Sequence, residues 1–191
     1  MVVPSFGQIA PQRGSSMIEV LVTIVIVAFG LLGMAGLQSR MQVSEMEAYQ
    51  RAQALVLLND MAERIAINRT VAASYVTVSA LGAGLTPCPA VASGQTLQQI
   101  DAREWCNALQ GAAEAIGTNK RGAMLGGRGC VESLGNNEYM ITVAWQGLIP
   151  LTAPLASVAC GQNQYNEAGS ACINDLCRRT VTTVIRIAAL I

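Results

Sequence analysis

No histidine occurs anywhere in the 191 residues. That absence removes the Ser-His-Asp and Cys-His nucleophile arrangements, the HExxH zinc site and any imidazole pH switch. Aromatic residues are scarce at 4%, and charged residues make up only 13%. Twelve basic side chains cancel twelve acidic ones, so no net charge is available for broad binding of a nucleic acid. Aliphatic residues fill the space instead. Hydrophobic residues reach 52%. The mean hydropathy of +0.40 is high for a water-soluble domain and places part of the chain in lipid.

The apolar excess is concentrated near the start. Val20–Ser39 reads VLVTIVIVAFGLLGMAGLQS, 20 residues without a charge, closed by Arg40. At about 1.5 Å per residue, a helix of that length crosses the ~30 Å core of a bilayer. The polar leader Met1–Gly14 carries one charge, Arg13. A secretory signal peptide would have a positive start, a shorter apolar run and a small-residue cleavage site. Gly33-Met34-Ala35 supplies such a site, but the run is long and a carboxylate, Glu19, stands at its entrance. At membrane depth a charge costs about 2.5–3.5 kcal/mol on insertion scales. Glu19 therefore has two readings. It lies at the headgroup level, where snorkelling is cheap, or it meets a cation. A cut after Gly14 would create that cation as the α-amino group of Ser15, and the helix macrodipole favours a carboxylate in the same turns.

Arg13-Gly14-Ser15-Ser16-Met17-Ile18-Glu19-Val20-Leu21 resembles the class III signal of type IV prepilins. The resemblance implies that a prepilin peptidase cuts after Gly14 and methylates Ser15, and that Glu19 neutralises the N-terminal amine of a neighbouring subunit during assembly. Ser15 stands where that family usually has Phe, and Gly36 where major pilins often carry a helix-bending Pro. The run from Glu19 to Gln38, RAQALVLLNDMAERI at 51–65 and EYMITVAWQG at 138–147 resemble the PilV-type minor pilins, also called type IV pilus modification proteins. Type II secretion pseudopilins share the N-terminal signal, so the later segments carry the distinction. The resemblance implies a subunit without enzymatic activity, cofactor or small-molecule substrate. Its partners would be the prepilin peptidase, major and other minor pilins, and the inner membrane. The leader would face the cytoplasm before assembly, and the rest would lie in the pilus, at the cell surface or in the periplasm afterwards. Its role would be assembly or priming of the pilus, and through it adhesion or motility.

Residues 37–68 contain neither Pro nor Gly and are rich in good helix formers, so the helix is expected to continue from Ser16 to about Asn68, on the order of 80 Å. Ala48, Ala52, Leu55, Leu58, Ala62 and Ile65 draw an apolar stripe expected to pack on the chain's own domain, with Glu45, Gln50, Gln53, Asp60 and Arg64 opposite. Gly30, Gly33 and Gly36 read as close helix packing with local softening, or as glycines tolerated in a membrane helix. Beyond residue 70 come a connecting loop with a short strand at Tyr75–Val78, and a capping box at Thr96–Gln99 opening a helix over about 97–116. Gly117–Gly129 lacks the GxxxxGK[ST] order of a phosphate loop and reads as a solvated turn. Period-two alternation predicts strands at Glu138–Gly147 and Arg179–Ala189, with further strands at Cys130–Leu134 and within 148–159. The expected fold is α+β and pilin-like: a long N-terminal α-helix with a membrane-spanning first half, on a small, mostly antiparallel, disulfide-stapled sheet. The expected divisions are leader 1–14, apolar helix 15–39, amphipathic continuation 40–68 and exported domain 69–191.

Cys88, Cys106, Cys130, Cys160, Cys172 and Cys177 all follow the apolar run. An even number in an exported domain predicts up to three disulfides and an oxidising compartment for the C-terminal part. Arg13 and Arg40 flank the run equally, so the cysteines rather than the charges set its orientation. Cys88–Cys106 is the preferred bridge, and the other four stay unassigned. With no His and no paired CxxC, the spacing argues against zinc and no metal site is expected. Lys120, Arg121 and Arg128, or Arg178, Arg179 and Arg186, are the candidates for a basic patch, against which the zero net charge weighs. Asp101 and Glu104 beside Arg103 read as a solvated helix face. The competing class, a membrane-tethered or secreted periplasmic enzyme or binding module, would need a site within 70–191, where no convergent carboxylates or nucleophile pair are legible.

Overall fold

Ser16 offers its carbonyl to the N–H groups of Glu19 (2.9 Å) and Val20 (3.3 Å), and helix α1 runs from there over Met17–Ile67. The computed structural model describes residues 16–83, 87–90, 92–111, 115–116, 119–120 and 124–188. They fall into two units divided between Val43 and Ser44. The first holds the apolar part of α1, where every residue from 16 to 42 is exposed. No side of it is set aside for water, as the sequence from Val20 onward requires.

The second unit begins with the rest of α1. Here the helix buries Ala54, Leu58, Met61 and Ile65, a row at steps of three and four. This corrects the expected stripe: Ala48, Ala52 and Leu55 are exposed, and Gln50, expected opposite, is buried. The helix carries two candidate rows, and polar Glu47 and Gln50 at the head of the buried one disguised it. Docking on the sheet, which local spacing does not encode, made the choice. After Ile67 the chain tightens into a 3-10 helix, Arg69–Tyr75, where a strand was expected to begin at Tyr75. Asn68 explains part of this, since its Nδ2 donates to the Tyr75 hydroxyl at 3.0 Å and folds the segment back on itself.

Helix α2 (Leu97–Leu109) opens with the predicted capping box, in which Thr96 Oγ1 accepts from the Gln99 N–H and Gln99 Oε1 from the Thr96 N–H. It stops earlier than position 116 because Gly111 takes a left-handed conformation (φ 76°) just past the end, a common helix terminator. Ile116 lies instead in β2 (Ala115–Ile116), paired with β3 (Asn119–Lys120), so the solvated turn expected over 117–129 is in part this small ribbon.

Four strands form the main sheet in the order β1 (Leu81–Gly82), β4 (Arg128–Gly135), β5 (Glu138–Gln146) and β6 (Arg178–Arg186), all antiparallel. Asn136 and Asn137 (φ 50° and 60°) make the two-residue turn between β4 and β5, the mirror-image geometry that suits strand twist. Tyr139, Ile141, Val143 and Trp145 of β5 face the core shared with α1 and α2, as their alternation predicted. Thr142 and Ala144, on the opposite face, are buried as well. The cover is the segment 148–177, which forms no strand among its residues; Pro150 and Pro154 remove donors that a ladder would need. Arg178 holds this cover down. Its Nη1 donates to the carbonyls of Val158 (2.6 Å) and Cys160 (3.1 Å), and its Nε lies 3.1 Å from Asp175 Oδ2.

The result is an α+β, pilin-like fold with a long N-terminal apolar helix, a small antiparallel sheet and three disulfides. Because Arg178 is buried to 1% exposure, Arg178→Ala would leave Asp175 with the Asn163 N–H but without its buried cation, and is expected to lower stability by about 3–5 kcal/mol in denaturant titration of the full chain. Arg186→Ala breaks only the 3.7 Å surface pair with Glu138 and is expected to cost less than about 1 kcal/mol. Equal losses would remove the role given to the buried pair.

Candidate functional site

Glu19 sits in the first turn of α1, where the unpaired backbone N–H groups and the helix dipole favour an anion. It is exposed, as are the large apolar side chains after it, which lie between 47% and 70% exposure from Val20 to Leu37. Thr23 is the one polar side chain in that stretch, and its hydroxyl donates to the Val20 carbonyl at 2.8 Å. A Cβ added at Gly30, Gly33 or Gly36 would meet no atom within 4 Å. By length and composition, α1 is able to cross a membrane. Gly14 and Ser15, the residues of the expected cut, lie outside the described residues.

Within the second unit, a set of polar ties fixes α1 to its neighbours. Arg64 donates to Asp60 (3.0 Å), Asp101 (2.7 Å) and Glu104 (2.8 Å). Asp101 also accepts from the Tyr75 hydroxyl. The expected solvated face of α2 is thus corrected at Asp101, which is buried, whereas Glu104 is exposed; both carboxylates accept from Arg64. Burial by itself works against the Arg64 charge, but its bonds to Glu104, Asp101 and Asp60 outweigh that and hold its pKa above the ordinary value. Burial, reinforced by the bond to Asp101, pushes Tyr75 up to about 12, against a small opposing effect of Asn68. A second tie joins Glu47 to Arg179 (3.2 and 3.3 Å), with Glu47 Oε1 also accepting the Leu148 N–H at 2.7 Å.

These ties disperse the candidate basic patches. Arg178 is buried, Arg179 is paired with Glu47, and Arg186 stands exposed near Glu138. Arg128 lies over the Tyr165 ring, 4.8 Å from its centre, Lys120 belongs to β3, and Arg121 lies outside the described residues. Sequence reasoning missed Glu47, Arg64, Tyr75 and Asp175 as structural polar residues. The available signals were the three-residue spacing of Asp175 and Arg178 and the four-residue spacing of Asp60 and Arg64 on α1, since the other partners are more distant in the chain.

The cysteines pair as Cys88–Cys106, Cys130–Cys160 and Cys172–Cys177. The first ties the loop before α2 to that helix. The second ties β4 to the covering segment. The third closes a short loop just before β6. No cysteine is left free, and among the described residues no group of three or more His, Cys, Asp or Glu could hold a metal ion.

A carboxylate at the head of a helix that is apolar on every side sets the chemistry of this segment apart from that of the globular unit. The family model described as the prokaryotic N-terminal methylation motif matches residues 9–35, which span Gly14, Ser15, Glu19 and most of the apolar run. That match supports a type IV pilin-like or pseudopilin-type protein, processed by a prepilin peptidase. No curated protein and no solved structure gave a significant match.

The Tyr75 shift has a definite sign. A folded-state pKa raised from 10.0 to about 12 means that the folded chain holds this proton more tightly than the unfolded one. The stability it contributes is complete below pH 10.0 and is lost as pH rises through about 12. Tyr75→Phe is expected to flatten the fall in stability across that interval and to remove one late-ionising tyrosine from an ultraviolet titration. An unchanged alkaline profile would count against the Tyr75–Asp101 tie.

Proposed function

We propose that this chain is a minor pilin of the PilV type, a subunit of a type IV pilus that acts in assembly or priming and thereby in adhesion or motility. One observation carries the reading: the methylation-motif match over 9–35 coincides with a helix that is exposed and apolar on all sides and has its carboxylate in the first turn. A soluble domain has no use for such a surface, whereas a subunit that leaves a bilayer for a filament core meets apolar surroundings twice. The segments at 51–65 and 138–147 that resemble PilV-type proteins favour a pilus over a secretion system.

In this reading Met1–Gly14 is removed by the prepilin peptidase and the new N-terminus at Ser15 is methylated. Before assembly the subunit crosses the inner membrane once, with its leader in the cytoplasm and its cysteine-bearing unit in an oxidising compartment. Glu19, four residues on from Ser15, then matches the N-terminal amine of a neighbouring subunit. Without that match the carboxylate would be costly in an apolar filament core. Major pilins and other minor pilins are the partners. The chain performs no catalysis and takes no cofactor.

Mass analysis of the mature N-terminus tests the processing step. The expected chain begins at a methylated Ser15, and a mature start at unmodified Gly36 would overturn it. Glu19→Ala is expected to insert normally into membranes yet be absent from sheared filaments. Normal incorporation of that variant would remove the role assigned to the carboxylate.

A further inference from the structure

Leu148, Ile149, Leu151 and Leu155 lie on one loop and are each between 43% and 76% exposed. No charged residue occurs from Tyr139 to Asn166, so nothing along the stretch relieves that apolar surface. Exposed apolar residues scattered singly need no explanation, whereas four on one short segment mark a contact site. The loop is also held in shape. The Leu148 N–H donates to Glu47 (2.7 Å) and the Leu151 N–H to the Leu176 carbonyl (2.8 Å). The Ile149 carbonyl accepts from Arg179 (2.6 Å) and the Leu155 carbonyl from the Val158 N–H (3.0 Å). Pro150 and Pro154 have no N–H to satisfy. Much of the backbone's polar demand is thus met internally or absent, as suits a segment that faces an apolar medium. Glu47 and Arg179, the charged groups that hold the loop, pair with each other.

The sheet of the globular unit has two unlike ends. At one, β5 stops and β6 begins, and there Glu47 meets Leu148 and Arg179. At the other, Asn137 and Ile187 share a cleft with Arg69 and Thr70, just past the C-terminal end of α1, and Glu138 and Arg186 stand nearby. The apolar loop therefore belongs to the end at which α1 enters the unit, and the charged groups to the end at which α1 leaves it. Eight positions separate Glu47 from Ser39, the last residue of the uncharged run, which is about 12 Å of helix. The loop is thus tethered close to the end of that run, whatever the angle between the two units.

We infer that the loop at 148–155 is a lipid-contact site, whose aliphatic side chains enter the headgroup boundary of the bilayer while the subunit is anchored. The inference rests on the membrane-anchored state proposed above for α1. Apolar side chains on a water-facing surface gain by entering that boundary, and an uncharged loop meets no electrostatic barrier there. The anchor already supplies the encounter, so a patch too small to bind a free surface is sufficient on a tethered one. A protein partner fits less well. Anchors at protein interfaces are chiefly Trp, Tyr and Arg, with Leu under-represented, and this loop contains none of those three. Contact with lipid would fix which end of the globular unit faces the membrane, and entry into a filament would have to break it.

Quenching of tryptophan emission by brominated lipids tests this on the full chain in nanodiscs of phosphatidylethanolamine and phosphatidylglycerol. The wild-type chain, with Trp105 and Trp145 both buried, sets the background. Leu155→Trp is expected to lose emission to lipids brominated near the glycerol end of the acyl chains. Phe29→Trp, in the middle of the uncharged run, is expected to lose it to lipids brominated near the methyl end. Val184→Trp, at an exposed position of β6 toward the opposite end of the sheet, is expected to lose emission to neither. Quenching of Phe29→Trp without quenching of Leu155→Trp would overturn the lipid contact and leave the anchor standing. Absence of quenching in Phe29→Trp would overturn both. Equal quenching of Leu155→Trp and Val184→Trp would show that the introduced indole seeks the interface by itself, and would remove the assignment to this loop. A blue shift of Leu155→Trp that needs two chains in one disc and no bromine contact would assign the loop to a protein neighbour instead.

Discussion

Trp105 is the side chain against which the globular unit is assembled. It is fully buried on α2, and its indole N–H donates to the Leu57 carbonyl on α1 at 2.8 Å. The ring leaves no room for a side chain at position 129, where a Cβ would collide with it, so β4 can lie beside it only because Gly129 has none. One residue thus sets the spacing of two helices and a strand. The row Ala54, Leu58, Met61 and Ile65 is buried on the same core, and Ile141 and Val143 complete it from β5. The polar ties are secondary to that packing. Arg64 and Glu47 hold α1 at two places along its length, once α2 and the sheet have fixed where it lies.

Scarcity of charge gives each charged group more weight. A chain with twelve basic residues commits Arg64, Arg178 and Arg179 to internal pairs, and these pairs link segments with no continuous ladder between them. The covering segment 148–177 is the clearest case. It lacks strands, yet it keeps Thr142 and Ala144 of β5 from water. Arg178 bonds its backbone carbonyls, Tyr165 donates to the Gly126 carbonyl at 2.9 Å, the Cys130–Cys160 bridge ties its middle to β4, and Cys172–Cys177 closes a loop at its C-terminal end. Buried arginines contribute here through geometry, since a guanidinium presents several donors in one plane.

Features with a period or a local partner were legible in the sequence. The two long strands of the sheet alternate apolar and polar residues, and Thr96 with Gln99 forms a cap within one turn. The Glu19 entrance to an uncharged run is a local contrast of the same kind. Features that depend on a distant partner were not legible. Asp101 looked like a surface residue because its neighbours Arg103 and Glu104 are charged, while Arg64, the residue that buries it, lies 37 positions away. The exposed row Ala48, Ala52 and Leu55 satisfied the helical period as well as the buried row did, and only the position of the sheet separates the two. The 3-10 turn at Arg69–Tyr75 rests in part on a bond between Asn68 and Tyr75 that no propensity scale contains.

The bond from the Thr23 hydroxyl to the Val20 carbonyl bears on how cheaply α1 exchanges one apolar environment for another. Between Val20 and Leu37 no other side chain donates or accepts, and the helix satisfies its own backbone. The segment therefore carries its hydrogen bonds with it, and moving it breaks none and asks none of the new surroundings. The whole polar cost of relocation is concentrated at one address, the carboxylate of Glu19. A relocation whose cost rests on a single group is switched by whatever meets that group, much as a latch governs a door that otherwise swings freely.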